Sequence, residues 1–407
     1  MTFKDLIGQD AVVTALQRAV RSNRVAHAYL FVGPEAVGKR ATAFALAKAL
    51  NCRRPDDGDA CDTCESCHKI ELGVHPDVRF IGPTLEDSRG YLTPVPDDAP
   101  GGAVIRMSQI RVIPNKPRQV PGPLVHDIAL RPTFSPWKVY IISPADRMQT
   151  ETPNALLHVL EEPPPYAVLI LVTARPAAIL PTVHSRCREV RFRLAPAGDI
   201  AGLLKKQGVE AAQAERLARL ASGRAGWAIR ASQHAEMLQA REALVEWIET
   251  LCQAPPEAVL RLAEDLRSLT YNTWRGEPAE ASVEEVAGDV PDDAIEDQPQ
   301  PAEPAASRLR LSEDQVLRSR LPESLEVVLT WLRDLAAVRA GRADLAINAD
   351  HAAHLSQAAD RPLDDLRRAM SAVQRAIRYI ERRASIPITT DALVEALVSS
   401  LGRPEKT

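Results

Sequence analysis

Two groups of residues in this 407-residue chain have types and spacings that chemistry can use. Gly33-Pro34-Glu35-Ala36-Val37-Gly38-Lys39-Arg40 runs glycine, four residues, glycine, lysine. At that spacing backbone N–H groups cradle phosphates and the lysine reaches the β and γ oxygens. The next position should carry a Ser or Thr hydroxyl for Mg²⁺. Arg40 has none, so Gly33, Gly38, Lys39 and Arg40 read as a degenerate phosphate loop. The second group is Cys52, Cys61, Cys64 and Cys67, four of the six cysteines within one short stretch. Their short spacings let a small loop set thiolates at tetrahedral corners about 2.3 Å from Zn²⁺, and four ligands leave no open position, so the zinc should be structural. His68 and His75 stand nearby as spare imidazoles but read as ordinary surface residues.

The flanks of the loop supply the elements that must position it. Ala28 to Val32 has the length and composition of a buried strand, and Ala41 to Leu50 is Ala/Leu-rich with helical spacing, giving strand, loop and helix in the required order. An earlier amphipathic helix, with Asp10 as its N-cap, carries Val12, Val13, Leu16, Ala19 and Val20. Residues 82–102 are rich in Pro, Gly and Asp and predict a loop or partly disordered excursion. Helical character returns at Ile105 to Val112, before a Pro-rich break from Pro114 to Pro123. Lys138 to Ile142 predicts a second buried strand and Val168 to Thr173 a third. Asn154 to Glu162 lies between them as a helix stopped by Pro163-Pro164-Pro165. Arg188 to Leu194 predicts a last short strand. Alternating strands and helices indicate a mostly parallel, doubly wound sheet. At the end of the second strand, a P-loop ATPase needs one acid for Mg²⁺ and another to polarise the attacking water; Ser143 and Pro144 stand there instead.

Beyond Pro196 the pattern is helical. Three short helices to Ala231 make a small lid-like domain. Glu236 to Leu269, Leu325 to Val338, Leu363 to Arg383 and Asp391 to Leu401 predict an α-bundle, with Trp331, Ile377 and Tyr379 in its core. The formal net charge of −4 hides a split: ten acids between Glu277 and Glu303 lie in a stretch without Lys or Arg, and setting them aside leaves +6 on the rest. That stretch, within 276–308, has the composition of a disordered insertion. The mild basicity of the remainder permits a nucleic-acid partner without requiring one. No window approaches 18 uncharged apolar residues, and the first ten residues lack a signal-peptide layout, so the expectation is a cytoplasmic protein without membrane partners. In a reducing compartment clustered cysteines are metal ligands rather than disulfides.

Several short stretches together resemble the bacterial replicative clamp loaders of the AAA+ family, most of all the delta-prime type of subunit of DNA polymerase III. They are Ile7-Gly8-Gln9, His27-Ala28-Tyr29-Leu30-Phe31, the four inserted cysteines, Gln109-Ile110-Arg111, the run from Asn154 to Pro164, and Ser185-Arg186-Cys187. The resemblance implies an α/β plus α architecture: an AAA+ P-loop domain over 1–194 with its zinc module at 52–67, a lid over 195–233, and a helical collar over 234–407 interrupted by the insertion. It implies that Arg186 is an arginine finger, reaching across a subunit interface to the γ-phosphate bound next door. An always-charged planar fork suits that task. It implies a hetero-oligomeric ring of five with gamma/tau and delta subunits, acting on a sliding clamp and primed DNA. Gly226 falls where motor subunits of the family carry a nucleotide-sensing lid arginine, with Arg224 and Arg230 nearby.

Arg40, Ser143-Pro144 and Gly226 then depart from an active ATPase in the same direction. Phosphoryl transfer depends on positioning and charge neutralisation, so joint loss of metal ligand, base and sensor removes it. The expectation is a non-hydrolysing subunit whose own site holds ATP or ADP weakly if at all. The alternatives are an active gamma/tau-type ATPase and, from another class, a P-loop metabolic kinase, which the missing acids and long helical C-terminus disfavour.

Overall fold

Five short strands form one parallel sheet, its three central ones apolar throughout but for Lys138 and Thr173 and its two edge strands carrying charges. In chain order the strands are β1 (Ala28–Val32), β2 (Val78–Ile81), β3 (Thr84–Glu86), β4 (Leu92–Pro94), β5 (Lys138–Ile142), β6 (Ala167–Thr173) and β7 (Arg188–Arg191). The sheet order is β2-β5-β6-β1-β7, while β3 and β4 form a separate antiparallel pair. The computed structural model describes residues 1–86, 92–95, 103–113, 122–149, 151–275 and 312–402. The acidic stretch expected to be disordered, 276–308, lies outside them, as do parts of the two Pro-rich breaks.

Every residue of β1, β5 and β6 is buried, as befits central parallel strands covered on both faces. Alternation along β1 divides its side chains between two cores. Tyr29 and Phe31 join Val12, Leu16, Ala43 and Leu46 from α1 (Asp10–Arg21) and α2 (Lys39–Asn51). Ala28, Leu30 and Val32 join Ile110, Leu124, Leu156 and Val183 on the other face. These come in turn from α4 (Met107–Ile110), α5 (Leu124–Ile128), α6 (Thr152–Glu161) and α7 (Pro181–His184), while α3 (Glu65–Glu71) belongs to the cysteine module. The sandwich is the doubly wound arrangement expected.

Local details correct the reading. Helix α1 has Gln9, not Asp10, at its cap. The Gln9 side chain is buried and exchanges hydrogen bonds with the Arg193 backbone, donating to its carbonyl at 2.6 Å and accepting from its N–H at 3.2 Å. Strand β2 was hidden because four residues with a charge at Arg79 make a weak apolar signal. Its start is fixed by Asp77, whose carboxylate accepts from the N–H groups of Thr133, Phe134 and Ser135 at 2.7–2.8 Å.

The chain clusters into two compact units, one of residues 1–235 with 347–350, the other of 236–346 with 351–407. Three short helices complete the first: α8 (Ala197–Lys206), α9 (Ala211–Leu220) and α10 (Ala225–Gln233). The second is helical: α11 (Ala235–Leu251), α12 (Val259–Arg275), α13 (Glu313–Arg339), α14 (Ala352–Ala358), α15 (Leu363–Glu381) and α16 (Ile386–Leu401). Its core gathers Leu244, Leu266, Leu325, Trp331, Val373 and Leu397. Helix α13 begins twelve residues before the expected Leu325 and runs through Pro322. A capping box explains the early start: Ser312 Oγ accepts from Gln315 N–H at 3.3 Å, and Gln315 Oε1 accepts from Ser312 N–H at 3.0 Å. Trp331 is buried as expected and Ile377 partly so, but Tyr379 is 52% exposed, one position short of the buried Ile380 on the apolar stripe. Among the described residues, no helix is long and apolar enough to cross a membrane.

Candidate functional site

The phosphate-like loop leaves the C-terminal end of β1 and ends at Gly38, the cap of α2. Gly33 has a φ of +150°, and a Cβ there would lie 2.7 Å from the Phe192 carbonyl oxygen. No other residue fits. Lys39 turns back on its own loop, donating to the carbonyls of Gly33, at 2.7 Å, and Pro34. Burial pulls its pKa down to about 8, against the opposing pull of Glu35 and Asp146.

Arg40 stands at the position for which the phosphate-loop pattern asks a hydroxyl, and its head group rests on an aromatic pair. Its guanidinium carbon is 4.2 Å from the Phe80 ring centre and 5.8 Å from that of Phe44, distances at which a cation is attracted to an aromatic face. The edge strand β2 and helix α2 are thereby joined over this charge. Ser143 is buried at the end of β5.

Sequence reasoning passed over Asp146, three residues on. Its carboxylate accepts from Thr173 Oγ1 at 2.7 Å and from two nitrogens of Arg175 at 2.8–2.9 Å. The acid that acts on Lys39 is therefore already engaged by an arginine fork. The signal was present in the sequence as an acid just beyond a strand end, but its partners lie beyond another strand. Gly226, in the first turn of α10, donates its N–H to the Ala36 carbonyl at 2.7 Å, and a Cβ there would meet that oxygen at 3.0 Å. The backbone of α10 thus rests on the loop. Arg224 precedes the helix as its cap, and Arg230 lies on its exposed side.

The four cysteines come together. Cys52 ends α2, Cys64 caps α3, and Cys67 lies in its first turn. The four sulphurs all lie within 4.8 Å of one another, and those of Cys52 and Cys64 are 3.9 Å apart. Bonds of 2.3 Å at the tetrahedral angle give about 3.8 Å between sulphurs, so the cage fits such an ion. The N–H groups of Arg54 and Cys61 point at Cys52 Sγ at 3.4 and 3.3 Å. The Thr63 backbone N–H draws Cys61 down to about 6, whereas burial pushes Cys67 up. Around the cage, buried Lys48 pairs with Asp62 and Glu71. His75 is no surface residue. It is buried, its Nε2 shared with Ser66 and Ser135 at 3.2 and 3.0 Å and its Nδ1 accepting from Asp77 N–H at 3.1 Å. Both ring nitrogens are engaged, which leaves the cage to sulphur. His68 is exposed on α3.

Arg186 belongs to the other end of the sheet. Arg188 pairs with Tyr29, the second residue of β1, so Arg186 lies beyond that strand's N-terminal end while the loop follows its C-terminal end. Five residues at roughly 3.3 Å each put about 16 Å between them, farther than one side chain spans. Arg186 lines a recess of about 560 Å³ with His27, Leu160, Glu161 and Ser185. Its guanidinium meets Glu161 Oε1 at 2.6 Å and donates to the Thr182 carbonyl at 2.9 Å, yet a third of the side chain stays exposed. Next to it, burial pushes the Cys187 thiol up to about 12.

Residues 8–196, which hold the loop, the cysteine cage and Arg186, match the family model described as DNA polymerase III, delta subunit. The delta' subunit of DNA polymerase III from Bacillus subtilis (strain 168) is 29% identical over 245 residues, covering 60% of this chain and 65% of that protein. The tau subunit of the same organism is 32% identical over 204 residues, covering 50% of this chain but 31% of its own length. The chain thus spans from under a third to just under two thirds of these relatives' own length. A solved DNA polymerase III gamma subunit-related protein from Thermotoga maritima superposes at a TM-score of 0.38 with 14% identity, over 95% of this chain and 98% of that one, too loosely to bear on the fold. Over residues 8–196 the chain, with its parallel sheet and phosphate-type loop, thus matches a DNA polymerase III family model and is similar to delta' and tau subunits alike.

Proposed function

We propose that the chain is a non-hydrolysing, delta-prime-type subunit of a DNA polymerase III clamp loader, giving Arg186 to ATP held by a neighbouring gamma/tau subunit while a sliding clamp is loaded on primed DNA. The observation that carries this reading is the opposition of the two ends of β1. Arg186 lies at the far end from Lys39, so any phosphate it meets belongs to another chain. Its present partner is an exposed carboxylate, and such pairs contribute at most about 1 kcal/mol. A γ-phosphate therefore displaces Glu161 readily, and the planar fork can then offer two donors to its oxygens.

The chain's own loop supports the same reading. Lys39 is spent on its own carbonyls, Arg40 offers no Mg²⁺ ligand, and Gly226 sits where a sensing arginine would have to displace Ala36. Within this reading residues 1–194 are the AAA+ domain, 195–233 the lid and 234–407 the collar that joins gamma/tau and delta subunits in a cytoplasmic ring. Cys52, Cys61, Cys64 and Cys67 hold a structural Zn²⁺; elemental analysis should find about one zinc per chain, and a Cys61→Ser/Cys64→Ser variant should lose it. Zinc-free protein that folds normally would end that assignment.

The similarity to a tau subunit favours a second reading, an active motor subunit. Steady-state ATPase of the lone chain and of the assembled complex separates the two. The first predicts background turnover by the lone chain and clamp-stimulated turnover by the complex; robust turnover by the chain alone selects the second.

A further inference from the structure

The helical unit carries a cluster of acids and imidazoles that the clamp-loader reading does not use. Glu242 and Glu249 stand seven residues apart on α11, hence on one face. Against them lie His351, the cap of α14, and His354 in its first turn. One ring nitrogen each from His351 and His354 and a carboxylate oxygen of Glu249 lie within 4.8 Å of one another. His351 Nε2 also meets Glu242 Oε2 at 2.9 Å, and its ring packs edge-on to Trp331, 5.7 Å between centres. His354 Nδ1 comes within 2.6 Å of Glu249 Oε1. That oxygen is buried and receives no aligned hydrogen bond. A buried carboxylate oxygen met by an imidazole outside hydrogen-bond alignment is only partly compensated for its desolvation, and a cation between the converging ligands would complete that compensation.

We propose that Glu249, His351 and His354 bind one borderline divalent transition ion of the Zn²⁺, Co²⁺ or Ni²⁺ class. Two imidazoles with one carboxylate select these ions over Mg²⁺ and Ca²⁺, which favour oxygen ligands. Three protein ligands leave a coordination position for water. With His351 Nδ1 on the ion, Glu242 at Nε2 is a positioning residue: a carboxylate on the second nitrogen of a ligating imidazole fixes its tautomer and ring orientation. The ion ties α11 to the start of α14 within the helical unit, independently of the cysteine cage.

Cobalt titration of the full chain, without a histidine tag and after chelator treatment, tests this. Thiolate ligation gives intense charge-transfer absorption, whereas a His₂Glu site gives only weak d–d bands, so the two sites report separately. The wild type should bind one cobalt with the weak signature besides any bound by the cysteines. Glu249→Gln and His354→Ala should each abolish that signature or weaken its binding at least tenfold, with circular dichroism unchanged. Glu242→Gln should weaken it by roughly 10- to 100-fold, the range for lost outer partners of ligating histidines. A Cys61→Ser/Cys64→Ser chain, if it folds, should keep the weak signature alone. Absence of that signature in the folded wild type, or its persistence at unchanged affinity in both Glu249→Gln and His354→Ala, overturns the proposal and leaves two histidine–glutamate ion pairs in its place.

Discussion

At the C-terminal end of β1 the cation, Lys39, is 7% exposed and spends its ammonium on two backbone carbonyls of its own loop, whereas at the N-terminal end Arg186 is a third exposed and shares its charge with one half-exposed carboxylate. The sheet thus carries one cation locked inward and another lightly held outward. What separates them is the environment that each must leave to act. Lys39 would have to abandon bonds made in a desolvated setting, while Arg186 would exchange a solvent-screened ion pair and an exposed bond to the Thr182 carbonyl for a phosphate.

The largest effect expected from this contrast is at Arg186. Arg186→Ala in the assembled complex should lower ATPase at that interface by about 10³ or more, with the melting temperature of the lone chain within a few degrees of wild type. An unchanged rate would abolish the contrast. Lys39→Met should leave the complex ATPase unaltered and show itself in stability instead. The folded pKa of Lys39, about 8, lies below the ordinary 10.5. Below pH 8 both folded and unfolded chains hold the proton, and the burial penalty applies in full. Between 8 and 10.5 the folded chain loses the proton first, so this group's contribution to stability rises with pH. The rise amounts to on the order of 3 kcal/mol at most. Urea unfolding at pH 7.5 and pH 10 should show a smaller gain in Lys39→Met than in wild type; an identical gain would mean that Lys39 is not desolvated. The smallest effect belongs to Glu161→Gln, which should cost under about 1 kcal/mol of folding stability and leave complex ATPase within about threefold of wild type. A collapse of activity there would give Glu161 a part in the chemistry rather than in parking the arginine.

Much of the sheet unit was legible because its signals are local. A fully apolar pentapeptide before a glycine loop, and a cysteine run with two-residue gaps, state their geometry in sequence order. What was not legible is non-local or contradicts a simple pattern. Strand β2 is short, carries Arg79, and is completed by Asp77 binding the backbone of Thr133 to Ser135 far along the chain. His75 reads as polar and becomes buried because Ser66 and Ser135 close around it. Helix α13 passes through Pro322, since the capping box at Ser312 starts it more than three turns before the expected Leu325. At the candidate site the residues were legible but their partners were not: the Glu161 clasp on Arg186, the Asp146–Arg175 pair and the contact of Gly226 with Ala36 join elements distant in sequence.

The seat of Arg40 on Phe80 and Phe44 bears on reversibility. A Ser or Thr at position 40 would return a hydroxyl to the loop but would strip the cover from the aromatic pair that joins the edge strand to α2, and Lys39, Ser143 and Gly226 would remain as they are. On the non-hydrolysing reading proposed above, that one-letter change should lower stability with no gain in turnover. On that reading the seat of Arg40 works as a ratchet, keeping the loop a structural part of the sheet edge.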